Sequence, residues 1–386
     1  MRNTLGNMTM SEDDPFALVG TTVAGKYDIE EVIARTALSV VYRATHRVWQ
    51  RSVAIKAFTA PTLSEEARQQ LLASFVEEGR LLMDLSERCA SICQARDVSS
   101  LTTARGDWVP YTVLEWLDGE CLEFAIYRER AEGHRARTLA EVLELLDPIA
   151  DALALAHDRG VAHRDVKPGN IFVLAGDGKG PLRSKLLDFG VAKVLRGVPT
   201  TPLPGTVVSE SFTPSYGAPE QFASAYGTTG PWTDVFALGL IVVELLTGRP
   251  ALDGPTVGEL ALQSCHPDRR PTPRQRGLVV SDEVERVLDR ALAVRPEDRF
   301  PNGREFWRAL REAFAIEALD QEIEIDWDDA PPAGGVRPDV AEPDRTETGP
   351  SGLEGQGSVI FTRTLPIVLR RRRDGADSTL TTEEAP

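Results

Sequence analysis

Between Tyr27 and Phe58 apolar β-formers recur in short runs, YDIEEVI, SVVYRA and RSVAIKAF, separated by polar connections. Runs of this length rich in Val, Ile and Tyr predict strands, and their spacing predicts a three-stranded antiparallel meander. The segment EEARQQLLASFVEEGRLLMDL changes period: Leu71, Phe75, Leu82 and Leu85 fall at helical spacings and predict one amphipathic helix. WVPYTVLEWL then returns to a strand pattern.

After Gly119 the pattern turns helical. TLAEVLELLDPIADALALAHDRG predicts a long helix closed by Gly160, and further helices are predicted around FALGLIVVELL, DEVERVLDRALA and GREFWRALREAFAIEAL. The order predicts an α+β chain of two lobes. A small antiparallel sheet with one main helix covers residues 27–116, and a larger helical lobe covers 117–315. Residues 1–26, polar and small without sustained periodicity, read as a flexible leader. Residues 316–386 read as an acidic tail too poor in apolar residues to offset the entropy of ordering. Inside it, Glu317, Asp320, Glu322, Glu324, Asp326, Asp328 and Asp329 occur without Lys or Arg, while Ile323, Ile325 and Trp327 alternate among them. That stretch reads as a solvated acidic spacer in preference to a docking strand. Arg370 to Arg373 follow LPIVL; contact of that cluster with phosphates or acidic lipid heads is the weaker reading of it.

Composition narrows the function classes. At 386 residues the chain exceeds a typical domain, with 42% hydrophobic and 26% charged residues, ordinary for a globular protein. The net charge of −16 argues against nucleic acid as the partner, because phosphate neutralisation needs a basic surface. Cys89, Cys93, Cys121 and Cys265 lack the nearby histidines of a zinc set and read as free thiols. The amino-terminal stretch has no apolar run after its arginine, unlike a secretory leader. The longest apolar run, Phe236 to Leu246, is too short to span a bilayer and contains Glu244. No transmembrane segment is therefore expected, and a cytoplasmic location is.

Candidate chemistry sits in three separated segments. HRDVKPGN places Asp165, Lys167 and Asn170 in one turn-rich loop: a carboxylate to take a hydroxyl proton, an ammonium for a phosphate, an amide for a metal ion. LLDFG delivers the carboxylate of Asp188 from an apolar strand to a glycine turn, as metal chelation beside phosphates requires. VAIK ends a strand with Lys56, whose ammonium can bridge phosphates if a carboxylate steadies it. Glu78 on the following helix is the expected partner, in preference to Glu77, because Phe75, Leu82 and Leu85 define the buried face.

These segments, with APE at Ala218 to Glu220 and RPEDR at Arg295 to Arg299, resemble the Hanks-type serine/threonine protein kinases, most of all the bacterial ones. The resemblance covers roughly Tyr27 to Phe314, and its motifs keep the family order and intervals. It implies the two-lobed protein-kinase fold and transfer of the ATP γ-phosphate to Ser or Thr of a protein substrate. Asp165 would be the base, and Asn170 and Asp188 would hold Mg2+, with Mn2+ able to serve. Val41 and Ala54 would cover one face of adenine and Phe172 the other. Glu115 and Leu117 would offer hinge backbone groups, with Leu114 as gatekeeper. Glu220 and Arg299 would form a buried ion pair, and Asp234 would anchor the catalytic loop. Thr213 and the lysine two residues after the base belong to the serine/threonine variant. Arg164 would pair with a phosphorylated activation segment, where Thr200, Thr201, Thr206, Ser209 and Ser211 are the acceptors. A dimer for trans-autophosphorylation is compatible with this pattern.

One stretch departs from the family. Where a GxGxxG hairpin would cover the phosphates, the chain reads IARTALSVV, with Ala34, Thr36 and Ser39 at the glycine positions. A Cβ there keeps backbone amides from the phosphates and restricts positive φ, which predicts ATP binding weakened by on the order of tenfold or less. Two other readings stand beside the kinase reading: a pseudokinase that acts as a binding module, motivated by the missing glycines, and a small-molecule phosphotransferase with the same core. Retained Lys56, Asp165, Asn170 and Asp188 argue against the first, and the APE segment, Thr213 and Arg299 against the second.

Overall fold

The computed structural model describes residues 14–36, 39–60, 64–176, 183–189 and 212–323. The amino-terminal strands are β1 (Thr22–Val23), β2 (Tyr27–Arg35), β3 (Ser39–His46), β4 (Arg51–Phe58), β5 (Ala95–Thr102) and β6 (Trp108–Glu115), in one antiparallel sheet of order β1-β2-β3-β4-β6-β5. Alternation along each strand divides the residues between two faces. Val40, Tyr42, Ala44, Val53, Ile55 and Ala57 bury into an apolar cluster with Tyr27, Ile29, Val109, Tyr111 and Val113. The opposite face carries Val41, Ala54, Lys56 and Leu114, with Val41 opposite Lys56 and Ala54 opposite Leu114.

The leader expected over residues 1–26 is corrected for residues 14–26. Leu18 and Val23 are buried in the same cluster, β1 pairs with β2, and the Asp14 carboxylate accepts from the Tyr42 hydroxyl at 2.7 Å. Turns at Ala17 and Ala24, both at positive φ, break any strand or helix period, so the stretch looks structureless in sequence.

Helix α1 (Glu65–Arg88) starts where the Ser64 side chain accepts from the Ala67 amide, with Glu65 and Glu66 favourably placed in its first turn. Its buried face carries Leu71, Phe75, Gly79, Leu82 and Leu85, and Phe75 meets Phe58 edge-on at 5.3 Å. Gly79 lets the helix approach β5 closely: a Cβ there would lie 2.5 Å from Val98 Cγ2.

The second lobe contains α2 (Leu122–Ala131), α3 (Leu139–Asp158), α4 (Pro219–Phe222), α5 (Pro231–Thr247), α6 (Val257–Cys265), α7 (Asp282–Ala291) and α8 (Gly303–Ile323), with a sheet of β7 (Gly119–Cys121), β8 (Ile171–Leu174) and β9 (Ser184–Leu186). Thr138 and Glu141 form a capping box at the start of α3, and Gly160, at φ 73°, follows its end. Helix α5 is buried from Thr233 to Leu246. Its Glu244 is tolerated there because Arg130 Nη2 and the Tyr216 hydroxyl each donate to it at 2.6 Å.

The expected end of the folded lobe at residue 315 is also corrected, since α8 continues to Ile323. The Glu317 carboxylate accepts from the Ser281 amide at 3.2 Å, so a residue read as tail tethers the start of α7. The rest of the acidic tail and Arg370 to Arg373 lie outside the described residues.

Alanine normally favours a helix interior over glycine by ~1 kcal/mol. Gly79→Ala is expected to do the reverse, lowering stability by ~1–3 kcal/mol, because its Cβ overpacks against Val98. Chemical denaturation checks this, and a midpoint equal to or above the parent's contradicts it.

Candidate active site

The site is built outward from Asp234 in the first turn of α5. This carboxylate is fully buried and accepts from His157 Nε2 at 2.9 Å, from the His163 amide at 2.7 Å and from the Arg164 amide at 2.6 Å. The Gly303 amide donates to His157 Nδ1 at 3.0 Å, so Nε2 carries the proton that Asp234 receives. Burial alone would raise the Asp234 carboxyl, but the His157 bond, the nearby His163 and the Arg164 amide hold it below the usual carboxylate range. Those two backbone bonds fix Arg164 at φ 62°, a left-handed conformation costly for a side-chain-bearing residue.

That turn presents Asp165. Lys167 Nζ lies 2.9 Å from Asp165 Oδ2 and donates to Thr213 Oγ1 at 2.6 Å. The Thr213 amide and hydroxyl both reach Asp165 Oδ1 at 3.3 Å. Asn170 Nδ2 donates to the Asp165 carbonyl at 2.8 Å and to Oδ2 at 3.3 Å, which leaves Asn170 Oδ1 as an acceptor. The structure thus brings Asp165, Lys167, Asn170 and Thr213 into one hydrogen-bonded group.

Asp188 joins from the other side. The Leu187 amide donates to the Asn170 carbonyl at 2.8 Å, and the Leu187 carbonyl lies 2.8 Å from His163 Nε2. Phe189 is buried against the His163 ring at 4.8 Å. With Asp188 at φ 58°, its carboxylate stands 2.5 Å from Lys56 Nζ. Burial would raise that carboxyl, but the Lys56 ammonium, helped by His163 and Lys167, holds it below the usual range.

The lysine engages Asp188, which the turn brings within contact. Glu78 is half-buried on the face of α1 shared with Phe75 and Leu82, whereas Glu77 is exposed and paired with Arg80. The hinge residues Leu114, Glu115 and Leu117 are half-buried at the end of β6, and Phe172 lies on β8 opposite Cys121. The Glu115 amide already donates to the Gln94 carbonyl, leaving the Glu115 carbonyl and Leu117 amide as the hinge groups to consider. The Glu115 side chain accepts from Lys185 Nζ at 2.5 Å and from the Gln94 amide at 2.8 Å.

At its described residues the glycine-free hairpin adopts no glycine conformation. Neither Ala34 nor Thr36 adopts positive φ, so the restriction expected from their Cβ atoms does not operate in this geometry. Ala37 and Leu38 at its tip lie outside the described residues, as do Thr200, Thr201, Thr206, Ser209 and Ser211.

Below the site, Arg299 Nη1 and Nη2 donate to Glu220 Oε1 and Oε2 at 2.9 and 2.8 Å, with both side chains fully buried. Thr233 Oγ1 adds a bond to Glu220 at 2.7 Å, and the guanidinium lies 4.7 Å over Phe236. Sequence reasoning missed Arg270, which stacks on the same ring at 5.6 Å and donates to the carbonyls of Ser264, His266 and Leu292. Burial, with Arg299 nearby, pulls its pKa down to about 10. It also missed His157 and Lys185, whose partners Asp234 and Glu115 are 77 and 70 positions away and share no motif with them.

A cleft with a β4 lysine above and an Asp-Lys-Asn loop and the Asp188 turn below defines a two-lobed protein-kinase catalytic domain. Residues 27–308 match the protein kinase domain family, and the chain belongs to it. It is 38% identical to the serine/threonine-protein kinase Pkn1 of Myxococcus xanthus over 53% of this chain and 28% of that protein. Identity to the serine/threonine-protein kinase PkaA of Streptomyces coelicolor is 32% over 75% of this chain and 50% of that protein. The chain thus spans about half or less of the length of these relatives, which place it in the bacterial Hanks-type branch. The Mycobacterium tuberculosis PknI kinase domain shares the fold, with a TM-score of 0.52 at 24% identity over 77% of this chain and 98% of that one. Members of the family use ATP and a divalent metal ion, and Asp188 with Asn170 Oδ1 offers the hard oxygen donors such an ion prefers. Among the described residues no helix is long and apolar enough to cross a membrane.

Arg299→Ala leaves the Glu220 carboxylate buried without its partner and is expected to cost ~3–5 kcal/mol. An unchanged denaturation midpoint contradicts the pair's structural role.

Proposed function

We propose that the chain is an ATP-dependent protein serine/threonine kinase, and the observation that carries this is the convergence of Asp165, Lys167, Asn170 and Thr213 opposite the Lys56–Asp188 pair. Asp165 takes the proton of an acceptor hydroxyl, whose oxygen attacks the γ-phosphorus as the bond to the β–γ bridging oxygen breaks and ADP leaves. Lys167 steadies the γ-phosphate and Lys56 the α- and β-phosphates. A bound Mg2+, with Mn2+ as a substitute, neutralises phosphate charge in such chemistry, and Asp188 and Asn170 are the residues that would hold it. Val41, Ala54 and Phe172 sandwich adenine, with Leu114 behind it and the hinge backbone of Glu115 and Leu117 at its edge.

Thr213, bonded to both the base and Lys167, fits a serine or threonine acceptor in a protein. The Arg164 guanidinium supports control by phosphorylation, since its Nε is buried without a hydrogen-bond partner among the described residues. On this reading the kinase acts in the cytoplasm, phosphorylates its own activation segment in trans as a dimer, and has no nucleic-acid partner. The pseudokinase alternative would need no base, and the site supplies one already held by an amide and a hydroxyl.

The test is incubation with labelled ATP and magnesium, followed by mapping of phosphorylated residues by mass spectrometry. The parent is expected to label serine or threonine. Asp165→Asn should lower kcat by ~10²–10⁴-fold with nucleotide affinity retained, and equal rates for the two proteins would remove Asp165 from the mechanism.

A further inference from the structure

The hairpin between β2 and β3 is closed by side chains. The Thr36 amide donates to the Ser39 carbonyl at 2.8 Å, an ordinary backbone bond. The return bond is different: the Ser39 amide donates to Thr36 Oγ1 at 3.0 Å. The two hydroxyl oxygens are 3.0 Å apart, and Thr36 Oγ1 is 3.3 Å from the Ser39 carbonyl. Five polar groups of two residues thus meet one another across the mouth of the turn.

Placement makes this closure relevant to the cleft. Val40 and Tyr42 of β3 face the apolar cluster, so alternation puts Ser39 and Val41 on the other face, and Val41 is directly opposite Lys56. Ser39 is only 5% exposed, so the amide at the third glycine position is turned into the hairpin and committed to Thr36. A hairpin rich in glycine owes its shape to backbone freedom and must be ordered when phosphate binds. This one carries its ordering contacts within itself.

We propose that Thr36 is a positioning residue for ATP: its hydroxyl, by holding the Ser39 amide and hydroxyl, fixes the hairpin in the shape that nucleotide binding requires. The inference rests on the kinase reading above and gives Thr36, which stands at a glycine position of the family pattern, a role through its hydroxyl. It also reverses the expectation from sequence. Replacing Ala34 and Thr36 with glycine removes the clasp and should weaken ATP binding, not strengthen it.

The experiment compares the parent chain with Thr36→Val, which keeps the β-branched shape without the hydroxyl, and Thr36→Ser, which keeps the hydroxyl. Steady-state KM for ATP and kcat are measured, together with the Kd of a fluorescent ATP analogue. Loss of one net hydrogen bond predicts a rise in KM and Kd of about three- to tenfold for Thr36→Val, with kcat within about twofold, and parent-like values for Thr36→Ser. Parent-like KM and Kd in Thr36→Val overturn the proposal, as does an equal loss in Thr36→Ser. A fall in kcat alone also overturns it. If the parent transfers no phosphate, the kinase reading fails, and the analogue Kd still decides the clasp by the same comparison. A parent that binds no nucleotide overturns both.

Discussion

One buried carboxylate organises the catalytic face of this protein. Asp234 is charged inside the apolar second lobe, and it is affordable there because three donors from α3 and the catalytic loop converge on it. The geometry runs in both directions. The donors keep Asp234 ionised, and Asp234 holds Arg164 in the left-handed turn that presents Asp165 beside Lys167 and Asn170. Because His157 is itself held by the first amide of α8, the position of Asp165 depends on the packing of α3, α5 and α8 together. A loop of polar residues acquires the precision of a helical core.

The two ion pairs nearby show opposite uses of charge. Arg299 and Glu220 are fully buried, bidentate and further satisfied by Thr233, Trp232 and the carbonyls of Ala293 and Val294, so the pair fixes the segment that follows Thr213. Lys56 and Asp188 are only partly buried, at 14% and 35% side-chain exposure. Glu78, on the half-buried face of α1, stands on the helix that Gly79 presses against β5.

Much of the fold was legible because its signals are local. Strand alternation in YDIEEVI and RSVAIKAF, the helical spacing of Leu71, Phe75, Leu82 and Leu85, and the motif loops each lie within a few residues of chain. What stayed hidden depends on partners far along the chain. Asp14 finds Tyr42 and Lys185 finds Glu115, so the ordered stretch at 14–26 had no periodic signature, and Glu317 finds Ser281 from beyond the lobe boundary expected at 315. The hairpin differs in kind: the absence of glycine was visible in the sequence, but the hydroxyl bonds across the turn were not.

The central claim is that ionised Asp234 sets the catalytic loop, and acid titration of Asp234→Asn tests it most directly. A carboxyl held below its ordinary pKa of ~3.9 contributes stability above that value, and the contribution is lost as pH falls through the lower folded-state pKa. The account predicts that at pH 7 the Asn variant is less stable than the parent and much slower in phosphotransfer. It also predicts that the stability gap narrows as pH falls below ~4, where the parent protonates Asp234 and the variant has no such group to lose. A gap that is absent at pH 7, or that stays constant down the acid limb, would contradict it.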